Sequence, residues 1–313
     1  MKDLAFRPFS DTIVSKGTMN PVIVLKEVKK SFGKKLVLRG VSGTIEEGKV
    51  VGLLGRNGEG KTTLFRIMLD ILAADSGAIS ILGHSPNGSA SIRQMVGYVP
   101  ERPVYHDFMT VGEVFRLRAG FFPAWNWAKA REMASRLELD LDTRIHGASK
   151  GTLAKTAWIC ATAHNPEVLL LDEPTSGLDA VVRESLLSHF VKELSHSRKT
   201  ILVTNHHMEE LLGVLDEVWL MSAGRIQATY SIEQLRSHAY RVAGRLKSNT
   251  STPRPVGLYE EQRIGDLVRW LIIDKEALYT IRQMDILDQM EVESLPLETT
   301  FKVLLSKTAE PAY

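Results

Sequence analysis

Apolar residues in this chain fall into short dense runs, separated by stretches with helical spacing. VIVLKEV (22–28) reads as a strand. KVVGLLG (49–55) reads as a strand buried on both faces, because its apolar residues do not alternate with polar ones. KTTLFRIMLDIL (61–72) then places apolar residues at helical intervals. Further strand-like runs follow at MVGYV (95–99), VLLLD (168–172), TILVT (200–204) and EVWLM (217–221). Residues from about 101 to 165 are mostly helical in pattern, as in VGEVFRLRAGFF and TLAKTAWICATAH. Alternating strands and helices predict an α/β architecture with a parallel sheet and a helical insertion.

The pattern changes near SAGRIQATYSIEQLRSHAY (222–240). Beyond it lie strand candidates RVAGRLKS and VRWLIID, and helical stretches around 275–284 and 297–306. The expected organisation is an N-terminal extension over 1–20 and a main domain over 21–230. A helical subdomain occupies about 101–165, and 231–313 forms a small C-terminal accessory domain with no chemistry of its own. The first twenty residues hold no apolar block long enough for a signal peptide, and Met19 offers an alternative start. No apolar run approaches the roughly eighteen residues that a bilayer span needs. Action at a membrane would therefore depend on a partner's spans.

Composition changes this picture little. The chain has 313 residues, 44% hydrophobic and 24% charged, an ordinary globular balance that argues against wholesale disorder. A formal net charge of +2 lacks the strong basic excess of a nucleic-acid binder, so no nucleic-acid partner is expected. The single cysteine, Cys160, excludes an internal disulfide and a Cys-rich zinc site, and fits a reducing compartment.

Candidate chemistry begins at GRNGEGKT (55–62), which fits G-x-x-x-x-G-K-[ST] between a strand and a helix. Gly55, Gly58 and Gly60 let the backbone turn its N–H groups toward a polyphosphate, aided by the helix N-terminus. Lys61 reaches the β- and γ-phosphates in such a loop, and the Thr62 hydroxyl ligates Mg²⁺. Arg56, Asn57, Glu59 and Thr63 complete the candidate nucleotide cradle. The bland alternative is a glycine-rich turn before a helix. LLLDEPTSGLD (169–179) then places Asp172 and Glu173 together at the end of a buried strand, where two like charges carry a heavy desolvation cost. In a phosphate-loop protein such an acid holds Mg²⁺, which assigns that role to Asp172. Glu173 can accept a proton from the water attacking the γ-phosphate. The competing reading is a helix cap or a surface pair.

These two motifs, with TSGLD and TNHHMEE, resemble the ATP-binding cassette (ABC) family over roughly residues 21 to 230. The resemblance implies a mixed sheet core with an antiparallel edge sheet and a helical subdomain. It implies that Phe32 stacks on adenine, a core aromatic being the alternative. Glu101, ending VGYVPE, stands where the family has a glutamine, and is a candidate metal residue that can ligate Mg²⁺ or hold water. The family signature LSGGQ maps onto ASKGT (148–152), keeping Ser149 and Gly151 and departing at Ala148, Lys150 and Thr152. In the family this segment grips the γ-phosphate held by the opposite subunit. Asp179 matches the loop that crosses between subunits, and His206 the switch histidine beside the γ-phosphate. Adjacent His206 and His207 are a poor metal pair, since consecutive strand residues face opposite sides. The closing VESLPLETTFKVLLSK and the segment FFPAWNWAKAREMASRLEL resemble ATPases of bacterial exporters with a separate permease. Phe121, Trp125 and Trp127 are candidates for the groove that takes the permease's coupling helix, or for ordinary core.

The expected function is therefore an ATP-hydrolysing subunit, using ATP and Mg²⁺, of an ABC transporter that exports its cargo. Glu173 and His206 would be catalytic. Partners would be a transmembrane permease and a second ATPase subunit, as a homodimer. The location would be cytoplasmic, peripheral on the inner face of the membrane. The alternative is a soluble mechanochemical ATPase of the same family, acting in translation or DNA repair. The translation type carries two cassettes per chain and the repair type a long coiled coil, and neither feature occurs here.

Overall fold

A computed structural model describes residues 21–307, apart from 87, 89–90, 197, 205–207 and 248–256. Strands β1 (Pro21–Phe32) and β2 (Lys35–Glu46) form a long antiparallel pair. β3 (Val50–Leu54) is buried at all five positions and leads through a glycine-rich loop into helix α1 (Lys61–Met68). β4 (Ser76–Ile81) returns to pair with β1, giving a three-stranded antiparallel sheet of order β2-β1-β4. A short helix α2 (Ser91–Met95) precedes β5 (Val96–Val99).

Three helices follow: α3 (Val111–Phe121), α4 (Trp127–Arg136) and α5 (Lys150–Thr162). Each starts at a residue suited to capping an N-terminus. Thr110 and Glu113 exchange reciprocal hydrogen bonds, with the Glu113 N–H donating to the threonine hydroxyl at 3.2 Å and the Thr110 N–H to the carboxylate at 2.8 Å. Asn126 and Ser149 cap α4 and α5 with single side-chain acceptors. The chain then runs through β6 (Val168–Asp172), α6 (Ala180–His196), β7 (Thr200–Thr204), a single 3₁₀ turn (Met208–Leu211), β8 (Glu217–Ser222) and β9 (Arg225–Ser231).

The central sheet has the order β5-β6-β7-β3-β8-β9. β3, β6 and β7 are buried throughout, which is why their sequences read as unbroken apolar runs. The sheet is mixed, as the family resemblance implies, with an antiparallel strand at one edge. β9 is antiparallel to β8, because Ala223 (φ 49°) and Gly224 (φ 69°) make a tight left-handed hairpin that leaves no room for a crossover. The order sets β7 between β3 and β6, all three parallel, so their carboxyl ends lie side by side. Ligand sites in open α/β sheets form at that end.

The remainder comprises α7 (Ile232–Ser237), β10 (Ala239–Leu246), β11 (Leu258–Ile264), β12 (Leu267–Ile273), α8 (Lys275–Met284), β13 (Leu287–Ser294) and α9 (Leu297–Lys307). Its antiparallel sheet has the order β11-β12-β10-β13. One side, including Trp270 and Ile272, packs on Ala277, Leu278 and Ile281 of α8. Leu271, Ile273, Leu295 and Phe301 instead join the large core that contains Leu169 and Leu171 of β6 and Val203 of β7. The Tyr230 and Tyr259 hydroxyls meet at 2.8 Å across the same junction. Among the described residues no helix is long and apolar enough to cross a membrane.

Candidate functional site

The loop from Gly55 to Gly60 leaves the carboxyl end of β3 and opens α1. Gly60 takes φ 103°, a left-handed conformation that side chains resist, and a Cβ there would lie 2.6 Å from Leu38 Cδ2. At Gly55 the requirement is packing: a Cβ would lie 2.7 Å from the Met221 carbonyl oxygen of β8. Arg56, Asn57 and Gly58 are exposed, while Glu59 Oε2 accepts the Gly224 N–H at 3.3 Å and ties the loop to the β8–β9 turn. α1 begins at Gly60 with no side-chain cap and no acid in its first turn, so the positive end of its dipole stays uncompensated. Thr62 and Thr63 sit half-buried on that first turn.

Lys61 carries the argument beyond a glycine-rich turn. It is 7% exposed, and its Nζ curls back to donate to the Gly55 carbonyl at 2.6 Å and the Arg56 carbonyl at 3.1 Å. Glu173 Oε1 lies 3.8 Å away. Burial lowers the Lys61 pKa, and the charges of Glu173, Asp172, Glu59 and Glu101 partly offset that.

Asp172 and Glu173 are buried, so a surface pair is excluded. Thr204, paired with Asp172 across β6 and β7, donates its hydroxyl proton to Asp172 Oδ1 at 3.0 Å. Asp172 Oδ2 is buried and has no hydrogen-bond partner among the described residues. Burial, then the Asp172 charge beside it, raises the pKa of the Tyr98 hydroxyl on β5. Glu173 adopts φ 48°, a strained conformation for glutamate. Its N–H sits 3.0 Å from both the Thr204 hydroxyl and the Thr204 carbonyl oxygen. A buried carboxylate oxygen lacking a donor costs several kcal/mol in roughly this setting. A divalent cation between Asp172 and a phosphate would remove that cost, so the residues present fit a metal.

Phe32 ends β1 half-exposed, with Lys30 Nζ 5.8 Å from its ring centroid, so it is not a core aromatic. Glu101 follows β5, is exposed, and has Arg102 Nε 3.6 Å from its carboxylate. His206 and His207 lie outside the described residues.

The other candidates form a second group. Ser149 Oγ accepts the Thr152 N–H at 3.1 Å at the start of α5. Gly151 is close-packed, since a Cβ would lie 2.9 Å from Val182 Cγ1 of α6. Asp179 Oδ1 accepts the Val182 N–H at 3.0 Å and caps α6. The Lys150 amine lies over Gly177, 3.1 Å from where a Cβ would stand. Glu101, Arg102, Lys150, Leu153 and Pro174 line a cavity of about 360 Å³ beside it. Among the described residues this group shares no hydrogen bond with the Lys61 loop. A larger cavity of about 560 Å³, lined by Pro21, Glu167 and Arg198, holds none of the candidate residues.

Of the three aromatics considered for a docking groove, Trp125 belongs to the core, packed on Phe115 at 5.9 Å between centroids. Phe121 and Trp127 are exposed, as are Val104, Phe108 and Leu117 nearby in sequence. Thr204 and Tyr98 were not singled out from sequence. A polar residue closing the buried run TILVT was the available signal for Thr204.

Residues 38–176 match the family described as ABC transporter. An uncharacterized ABC transporter ATP-binding protein of Methanocaldococcus jannaschii is 34% identical over 233 residues, covering 71% of this chain and 82% of that protein. Nod factor export ATP-binding protein I of Burkholderia lata is 35% identical over 209 residues, covering 65% and 68%. Among solved structures, an ATP-binding subunit of an ABC transporter superposes with a TM-score of 0.62 at 26% identity, covering 69% of this chain and 92% of that one.

Proposed function

Since the chain belongs to the ATP-binding proteins of ABC transporters, we propose that it binds and hydrolyses ATP to drive a separate membrane permease. One observation carries this reading: a buried lysine at the head of an uncapped helix faces two buried acids, one with an orphaned oxygen. Gly55 through Thr63 cradle the phosphates and Phe32 offers its exposed face to the adenine. Lys61 exchanges the Gly55 and Arg56 carbonyls for phosphate oxygens. Asp172 and Thr62 would hold Mg²⁺ beside the phosphates, and the ion would supply charge neutralisation when bound. Glu173 takes the proton of the attacking water, and His206 completes the γ-phosphate contacts.

Two copies close head to tail in this reading, presenting Ser149 and Gly151 of one to the nucleotide of the other, with Asp179 crossing between them. Differential affinity of ATP for the closed pair drives closure, and hydrolysis reverses it. Phe121, Trp127, Val104 and Phe108 form the apolar surface for the permease, which holds the chain on the cytoplasmic face of the membrane. Export is the inferred direction, supported by the Nod factor export relative. The accessory part over 231–313 is assigned no chemistry.

Purified protein is expected to turn over ATP only with magnesium present. Phosphate release unaffected by chelation, or no nucleotide affinity at all, would reject the reading. Glu101→Gln should leave hydrolysis within a few-fold of the parent. Glu101 is exposed and paired with Arg102, and an exposed pair contributes only about 0–1 kcal/mol. Steady-state turnover measures this, and complete loss would move Glu101 into the essential metal set.

A further inference from the structure

We propose that Thr204 is a positioning residue that fixes Asp172 and Glu173 relative to each other and selects which Asp172 oxygen faces the metal. The inference rests on the ATP-hydrolysing reading above and assigns a role to the first residue of TNHHMEE, which the resemblance left without one.

Thr204 ends β7 directly opposite Asp172 in the parallel register, and its side chain is fully buried. Its hydroxyl makes two hydrogen bonds of opposite sense. The ionised Asp172 carboxylate can only accept, so the 3.0 Å contact to Oδ1 takes the hydroxyl proton. The Glu173 N–H can only donate, so the second 3.0 Å contact takes a lone pair on the same oxygen. With proton and lone pair both committed, the hydroxyl cannot rotate without breaking one of the bonds.

Two consequences follow for the acids. Oδ1 of Asp172 is occupied, which leaves the unpartnered Oδ2 to face a cation. The Glu173 N–H, shared between this hydroxyl and the Thr204 carbonyl oxygen, is anchored where the backbone is left-handed, and that turn carries the Glu173 side chain to within 3.8 Å of Lys61. The hydroxyl thus links the metal-side acid to the backbone of the proton-accepting acid, from the strand between β6 and the phosphate loop.

The test compares wild type, Thr204→Val and Thr204→Ser by titrating a fluorescent ATP analogue in magnesium and in chelator. Valine keeps the branched shape without the hydroxyl, and serine keeps the hydroxyl without the methyl. Thr204→Val should bind metal-free ATP like wild type and lose about tenfold or more of the magnesium-dependent gain, the size of one lost hydrogen bond to a charged group. Thr204→Ser should keep that gain within about twofold. If valine unfolds the strand end, Thr204→Ala must show the same selective loss. An undiminished gain in the hydroxyl-free variants overturns the proposal. So does an equal loss in Thr204→Ser, which would point to packing. If wild type itself shows no magnesium-dependent gain, the ATPase reading fails first, a distinguishable outcome.

Discussion

Lys61→Ala is expected to weaken ATP binding by a hundredfold or more. The lysine is buried with an acid 3.8 Å away and two carbonyl oxygens as hydrogen-bond acceptors. Truncating one partner of a buried, hydrogen-bonded charge contact at a binding interface costs roughly 3–5 kcal/mol. At about 1.4 kcal/mol per tenfold, that is about two to three and a half decades in affinity. The loss should be larger for ATP than for adenosine, because the missing group reaches phosphate and not base. Lys61→Arg should rescue poorly, since a planar fork cannot thread the space in which a slim amine meets Gly55 and Arg56. Isothermal titration with ATP and with adenosine measures both effects. An unchanged ATP affinity would remove the phosphate-loop assignment and everything built on it.

Glu173→Gln should leave ATP binding intact while slowing hydrolysis by about a thousandfold, within the usual range for a lost general base. Glutamine matches glutamate in size, accepts the same φ of 48° at similar cost, and leaves the N–H bond to Thr204 untouched. What it lacks is a carboxylate able to take a proton. The bound nucleotide then persists, and the proposed two-copy closed state should accumulate. Size-exclusion chromatography with ATP and with ADP reads this directly: a doubled mass with ATP only is the expected result. Turnover equal to the parent would remove Glu173 as the base.

The central strands were legible because burial on both faces leaves an unbroken apolar signature, and VLLLD and TILVT coincide with β6 and β7. β2 was not legible. Gly40 and Gly43 look like strand breakers, yet Gly43 is there because the Trp219 ring lies 2.6 Å from where its Cβ would be. β13 was missed for the opposite reason: as a solvent-facing edge rich in acids it has no apolar rhythm. The same division runs through the site. The Lys61 loop and the acid pair announce themselves, since few other arrangements justify buried charge. Ser149 and Asp179 do not, because each looks like an ordinary helix cap, and they are seen to act as caps. Only resemblance singled them out. Trp125 and Trp127 lie two residues apart in one aromatic segment, and sequence alone could not sort core from surface there.

The junction between the ATPase core and the C-terminal sheet bears on how the protein can be divided. Leu271, Ile273, Leu295 and Phe301 are part of the same large hydrophobic core as residues of the ATPase half. At about 1.5–3 kcal/mol for each fully buried large side chain, these four alone approach the whole net stability of a typical fold. Severing the polypeptide after Tyr230 would therefore lay bare greasy surface on the large core that also contains residues of β6 and β7. The described residues after Tyr230 that share this core act as a structural buttress of the ATPase half, and cannot be shed like a tag.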